Sequence, residues 1–376
     1  MNSKKRILII ADFGSIHLYN YARNVLCKCQ DSIVGFNIAG PVEDIRPNFM
    51  QLYKELGISL YGGIKLKDGK LKYMKTAFLE LSKLGTFDVC HIHFASHYIC
   101  PSIFILRKNF KKINISFWGS DLYRANALVR LMYRPLITAS SAISFITVDM
   151  LEYFKKYFNR ESILSKCTLL DFGNLFFQDI DEISTTSNMT PFYERLHLDC
   201  NKMTITIGYC WRSQMRQYEA IERIIPVLDK NKIQLAVPAY GMPASEKERL
   251  QKLLNPTGIK YAIYDYFMGV DEVPALRMIS DIFIHPQTTD ALSNAMIEHI
   301  YAGSVVLNGE WLNYKIFDDN KVYYIKFKSM EMLSSVLSQV FQDIEEHTLK
   351  AQNNRAIVKT FTSWEYWAPK WLELYK

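Results

Sequence analysis

At 376 residues the chain exceeds one ordinary hydrophobic core, so two domains are expected. A 49% hydrophobic and 14% aromatic content excludes a disordered chain. No apolar run approaches the roughly 18 residues of a membrane-spanning helix, and residues 7–11 are too short a stretch for a secretory signal, so a cytoplasmic protein is expected. The formal charge of +7 is unevenly spread: residues 1–175 hold 24 Lys and Arg against 13 Asp and Glu, and the remainder holds 21 against 25.

In chain order, residues 6–10 read as a strand, followed by a loop and a helix at 17–29. A strand at 32–38 and a helix at 47–56 come next, then a helix at 72–84, a strand at 87–93, a helix at 101–108 and a strand at 113–118. Residues 179–201, rich in Ser, Thr, Asp and Asn, read as a linker between a first domain at 1–178 and a second at 202–360. Alternation then restarts with strands at 203–209, 233–237 and 260–264 and helices at 217–228, 245–254 and 272–279. Apolar residues 282–284 and 305–307 bracket one more loop and helix, and helices follow at 330–346 and 349–360. Residues 361–376 read as a final helix with Ser363 as its cap. Two successive β-α arrays imply an α/β protein of two Rossmann-like domains with parallel sheets.

The segment from Ile284 to Gly303 carries the most chemistry. An apolar strand ends in a polar loop holding Asp290, and Ser293-Asn294 open a helix that carries Glu298 two turns on. Free N–H groups in a helix's first turn, with the positive end of its dipole, suit a diphosphate. Asp290 can accept sugar hydroxyls, and Glu298 can accept a ribose diol; an N-capped helix with two chance acids is the plain alternative. Such a loop at the carboxyl end of a parallel strand is where open α/β sheets place ligands.

A second cluster is the stretch from Ile207 to Tyr218, where a strand ends at Gly208 and is followed by Arg212, Arg216 and Gln217. Guanidinium groups match phosphate oxygens. Val237-Pro238-Ala239-Tyr240-Gly241 ends another strand in a turn. In the first half, Asp12-Phe13-Gly14-Ser15-Ile16-His17 joins strand to helix with too few glycines for a dinucleotide loop. His17 there can serve a phosphate or act as a base, or be structural. Asp121, after Trp118-Gly119-Ser120, can take a hydroxyl proton or cap a helix. His91 and His93 share one strand face, but no ligand partners at metal spacing follow.

These motifs resemble the GT-B glycosyltransferases, family 4 in particular. Asp290 and Glu298 are similar to its Glu-x7-Glu pair with Asp in the first place. Gly208 and Arg212 match its strand-Gly-x-x-Arg segment, with Arg216 or Gln217 near the place of an absent Lys. Asp88-Val89-Cys90-His91-Ile92-His93 and Trp118-Gly119-Ser120-Asp121 match further segments, with Trp118 where family 4 has His. The turn at Tyr240, residues 117–123 and the run from His285 to Asn294 also resemble the bacterial TDP-Fuc4NAc:lipid II Fuc4NAc-transferases. The resemblance implies two domains across a cleft, with the last helix returning to the first. It also implies sugar transfer from a nucleotide diphosphate sugar to a glycan or lipid-linked hydroxyl acceptor, as in bacterial capsule or O-antigen synthesis.

In this reading Arg212, Arg216, Gln217, Tyr240, Asp290, Ser293, Asn294 and Glu298 bind donor, Gly14 and Ser15 form a donor and acceptor loop, and His17 or Asp121 is catalytic. No metal and no cofactor are expected, since Asp179-Ile180-Asp181 sits in the expected linker. Retention or inversion stays open, because the two families differ. The alternatives are a non-catalytic subunit of the same fold, which the departures at Trp118, Asp290 and the missing Lys would suit, and a sugar-nucleotide epimerase. The seven cysteines, with no Cys-x-x-Cys pair, are expected as reduced thiols. Basic residues at Lys65, Lys67, Lys70, Lys72 and Lys75, at Arg107, Lys108, Lys111 and Lys112, and at Lys155 and Lys156 alternate with Tyr73, Phe104, Phe110, Tyr153, Phe154 and Tyr157. They suit peripheral contact with anionic lipid at the inner face of a membrane, or simply a solvated surface. No nucleic-acid motif accompanies them.

Overall fold

The structure, a computed structural model, describes residues 4–62, 69–96, 98–102, 107–186, 188–290 and 292–376. Lys65, Lys67, Phe104, Ala291 and half of the expected 101–108 helix lie outside them. The chain divides into two compact units, Met1–Gly173 with Trp364–Lys376, and Asn174–Ser363.

The first unit holds a parallel sheet in the order β3-β2-β1-β4-β5-β6-β7. Its strands are β1 (Arg6–Ala11), β2 (Ser32–Asn37), β3 (Ser59–Gly62), β4 (Phe87–His93), β5 (Phe110–Phe117), β6 (Ala142–Phe145) and β7 (Cys167–Leu169). A parallel sheet is covered on both faces, so its central strands carry unbroken apolar runs. In β1, Leu8 and Ile10 join one core while Ile7, Ile9 and Ala11 join the other. The second core is completed by the helix Trp364–Glu373, whose Trp364, Trp367 and Trp371 pack with Tyr21 and Phe172. Gly173 permits this packing, since a Cβ there would lie 2.5 Å from the Trp364 backbone nitrogen. The helix is also tied by buried polar groups: the Tyr375 hydroxyl lies 2.7 Å from both the Tyr21 hydroxyl and His91 Nδ1, and Asn114 Nδ2 donates to the Leu374 carbonyl at 2.9 Å.

The second unit has the order β10-β9-β8-β11-β12-β13, again parallel. Here β8 is Met203–Ile207, β9 Ile233–Pro238, β10 Lys260–Tyr264, β11 Ile282–His285, β12 Val305–Gly309 and β13 Ile325–Phe327. This 3-2-1-4-5-6 order is that of the doubly wound fold, and the order reverses between β8 and β11. Ligands of such sheets bind at the carboxyl ends of the strands beside that reversal.

The expected linker at 179–201 is instead structured. Helices Phe177–Ser184 and Thr190–Arg195 occupy most of it, and the change of unit falls earlier, at Gly173. Ile180, Leu196 and Leu198 are buried, the Phe177 ring stacks on Tyr301 at 3.7 Å, and the Tyr264 hydroxyl donates to the Leu196 carbonyl at 2.8 Å. Polar residues on the outer faces of these two short helices had masked their apolar sides. Asp181 of the nominal Asp-x-Asp is engaged by Arg355 and by the Tyr301 hydroxyl.

Candidate functional site

In the second unit, three loops at the strand ends beside the order reversal interlock. After β8 the chain turns at Gly208, whose φ of 63° is left-handed, and the Gly208 N–H donates to the Ile284 carbonyl of β11 at 3.0 Å. The Thr288 N–H donates to the Gln214 carbonyl at 2.9 Å, and the Tyr209 hydroxyl donates to Gln287 Oε1 at 2.9 Å. Trp311, after β12, donates its indole N–H to the Gln287 carbonyl at 2.7 Å. The Trp211 N–H donates to the Tyr240 carbonyl at 3.1 Å and so adds the turn after β9.

The helix Asn294–Ala302 starts at this point. Ser293 is its N-cap, accepting from the Met296 N–H at 3.2 Å, and Gly303 ends it in a left-handed turn. Asn294 and Ala295, at the first two positions, have no backbone partner for their N–H groups among the described residues. A helix start in this state attracts an anion. Asp290 stands just before it, accepting from the Tyr314 hydroxyl at 3.2 Å, with His285 Nε2 3.9 Å away. His285 is buried, its Nδ1 is 2.9 Å from Asn308 Oδ1, and its Nε2 has no hydrogen bond among the described residues. Burial pushes the His285 pKa below the usual imidazole range, so the ring is neutral at pH 7.

The basic loop divides by role. Arg212 is exposed and makes no salt bridge among the described residues. Arg216 instead forms a two-pronged pair with Glu219, at 2.8 and 2.7 Å, and lies over the Trp311 ring. Gln217, expected near a phosphate, points inward: its Nε2 donates to the carbonyls of Ile207 and Pro238 at 2.6 and 2.8 Å. As the first residue of helix Gln217–Ile224 it faces back onto the strand ends, where it joins β8 to β9. A pocket of about 300 Å³ opens beside this loop, lined by Trp211, Arg212, Arg216, Gln217 and Glu246 among others. The Tyr240 ring is exposed and meets Phe267 edge-on at 5.4 Å.

Glu298, expected at a ribose diol, is buried in an ion pair. Its Oε2 accepts from Arg277 Nε at 3.0 Å and its Oε1 from Asn174 Nδ2 at 3.5 Å. Burial raises the Glu298 pKa, and the Arg277 guanidinium opposes that rise. Arg277 also reaches His299 Nε2 at 3.1 Å. A carboxylate so engaged supports the helix from within.

In the first unit, Asp12 Oδ1 accepts from the Gly14 N–H at 2.9 Å, and Ser15 caps helix Ile16–Asn24 by accepting from the His17 N–H at 3.3 Å. The His17 ring lies 5.9 Å from Trp118 and 5.8 Å from Phe172, and burial lowers its pKa. Asp121 is buried and accepts three backbone N–H groups, from Ala95 at 2.8 Å and from Trp118 and Gly119 at 3.0 Å each. Burial lifts its pKa to about 6 against the pull of those donors. It therefore organises the 118–121 turn and does not stand free. The His93 ring lies 5.9 Å from that of Trp118, and neither of its nitrogens has a hydrogen bond among the described residues. No group of three or more metal-binding side chains occurs among the described residues.

Sequence reasoning had missed His285, Tyr209, Gln287, Tyr314 and Trp311. All five carry one signal in common, a polar or aromatic residue within five positions of a strand's carboxyl end. That signal becomes specific only once the strand order is known.

No family model matches the chain, and no curated protein matches it by sequence. Solved structures do match over the full length. A glycosyltransferase from Rickettsia africae is 14% identical, with a TM-score of 0.77 over 100% of this chain and 98% of its own. HepE from Anabaena, solved in complex with UDP and glucose, is 12% identical, with a TM-score of 0.71 over 98% of each chain. A sucrose-phosphate synthase from Thermosynechococcus elongatus is 10% identical, with a TM-score of 0.70 over 99% of this chain and 98% of its own. Together with the two parallel sheets, this likeness identifies the architecture as the α/β GT-B fold of two Rossmann-like domains.

Proposed function

We propose that the protein is a glycosyltransferase moving a sugar from a nucleotide diphosphate sugar to a hydroxyl of a glycan or lipid-linked acceptor, in bacterial surface polysaccharide synthesis. The observation that carries the reading is the open start of helix Asn294–Ala302 at the strand-order reversal, with Asp290 before it and the exposed Arg212 on the neighbouring loop. Loss of a nucleoside diphosphate builds negative charge on the leaving oxygen, and preorganised N–H groups and a guanidinium stabilise that charge. Arg212, Ser293 and Asn294 take this role. Asp290, oriented by Tyr314, holds the donor sugar, and the Tyr240 and Phe267 rings offer an apolar face to the nucleoside.

In the first unit, His17 or Asp121 serves the acceptor hydroxyl, and Gly14 and Ser15 shape the loop over it. The reading needs no metal and no cofactor beyond the sugar nucleotide. It places the protein in the cytoplasm at an anionic membrane face, which its basic first unit suits. The absence among the described residues of any helix long and apolar enough to cross a membrane agrees with a peripheral association. A likeness to family 4, and to the Fuc4NAc-transferases in part, belongs to the same proposal.

The second reading, a non-catalytic subunit, is favoured by the engagement of Arg216 by Glu219 and of Glu298 by Arg277. A thermal-shift screen against UDP-, GDP- and TDP-sugars tests the donor site. Binding raises the melting temperature with the logarithm of ligand excess. The rise is expected for at least one donor and is expected to disappear in Arg212→Ala; a rise of equal size in that variant would put the donor elsewhere.

A further inference from the structure

We propose that the first unit docks on an anionic lipid surface through the outward face of helix Ala127–Ala139 and the tyrosine-lined edge next to it. The helix buries Tyr133, Leu136 and Ile137. Its opposite face carries Leu128, Leu131 and Pro135 at the three- and four-residue spacing that aligns side chains, with Leu128 66% and Leu131 56% exposed. A surface helix ordinarily has a polar outer face, and one that is apolar on both sides calls for something to cover it.

The surroundings identify the cover. Arg124 and Arg134 are exposed beside the leucines, and the helix has no acidic residue. Tyr123, Tyr153 and Tyr157 form a continuous row, with ring centroids 5.0 and 5.4 Å apart. The Arg130 guanidinium sits 4.0 Å from the Tyr157 ring centre and joins this row to the helix. Lys156 lies 5.9 Å from the Tyr153 ring. Residues 107–160 hold ten Lys and Arg against three Asp and Glu, of which Asp121 is buried and Glu152 is paired with Lys155.

Aliphatic residues that enter the acyl boundary, tyrosines at headgroup depth and flanking cations are the combination an anionic membrane surface recognises. A second copy of the chain is the poorer occupant. A two-fold contact sets the same patch against itself and would oppose Arg124 and Arg134 to their own copies.

The inference rests on the proposed lipid-side acceptor, and its test is independent of transfer. The full chain is sedimented with phosphatidylcholine vesicles, with and without phosphatidylglycerol. Binding is expected only to the anionic vesicles and is expected to weaken with salt. Arg134→Glu should reduce partitioning at least about fivefold, and Leu131→Asp about tenfold or more. Both positions are exposed, so both variants should keep the parent melting temperature and any sugar-nucleotide shift. Unchanged binding in both variants, or no binding to anionic vesicles, would overturn the proposal. A dimer in light scattering that Leu131→Asp dissolves would also overturn it, by assigning the face to a second copy. Donor binding lost with vesicle binding intact would count against the transferase reading alone.

Discussion

Gly208→Ala tests how the loop after β8 is built. Gly208 has a φ of 63°, and a Cβ there would lie 2.9 Å from Gln217 Cγ and 3.0 Å from its Cδ and Nε2. The left-handed backbone costs a non-glycine residue about 1–2 kcal/mol. Forcing a methyl group into a packed site adds about 1–3 kcal/mol. The crowded atoms are not free to leave, because Gln217 Nε2 holds the carbonyls of Ile207 and Pro238 at 2.6 and 2.8 Å. A total loss of about 2–5 kcal/mol is therefore expected. Gln217→Ala empties the space, so in that background Gly208→Ala should cost only the backbone share, about 1–2 kcal/mol. Urea unfolding of the parent, both single variants and the double variant gives the coupling directly. A Gly208→Ala penalty that is the same in both backgrounds would refute the claim that Gln217 fills the space behind the turn.

Three further outcomes follow from buried polar groups. Removing Glu298 as Glu298→Ala should cost about 3–5 kcal/mol in urea unfolding, because Arg277 is then buried without its carboxylate; a loss below about 1 kcal/mol would mean the pair is solvated. Tyr375→Phe should cost about 1–3 kcal/mol, since the Tyr21 hydroxyl and His91 Nδ1 both lose a buried partner; a neutral effect would deny the terminal helix its polar tie. Asp121, with a folded pKa near 6 against 3.8 unfolded, favours folding fully below about pH 4 and loses that contribution as pH rises through 6, about 3 kcal/mol in all. Asp121→Asn should therefore remove about one proton from the pH dependence of stability between pH 4 and 6, and an unchanged slope would show the carboxylate ionised throughout.

Much of the fold was legible because central parallel strands announce themselves. The run from Ile7 to Ala11 has no polar break, since both of its faces are buried. The strands at Ser59–Gly62, Ala142–Phe145, Cys167–Leu169 and Ile325–Phe327 went unread, being three or four residues long and mostly at sheet edges. The helix starting after Ser293 was readable from its cap and from Gly303. The state of Glu298 was not, because its partner Arg277 lies 21 residues away on another helix. Arg216 could have been anticipated from Glu219 at the i+3 position, a local pairing that competes with any phosphate. Gln217 shows a different limit, since a motif position does not say which way a side chain faces.

The central claim is that Arg212 and the start of helix Asn294–Ala302 stabilise a leaving nucleoside diphosphate. Its most direct measurement is release of nucleoside diphosphate from UDP-, GDP- and TDP-sugars by the purified full-length chain, with and without glycan or lipid-linked acceptors. Release from at least one donor, reduced about a hundredfold or more in Arg212→Ala at an unchanged melting temperature, is expected. No release from any donor, together with no donor binding, would contradict the account.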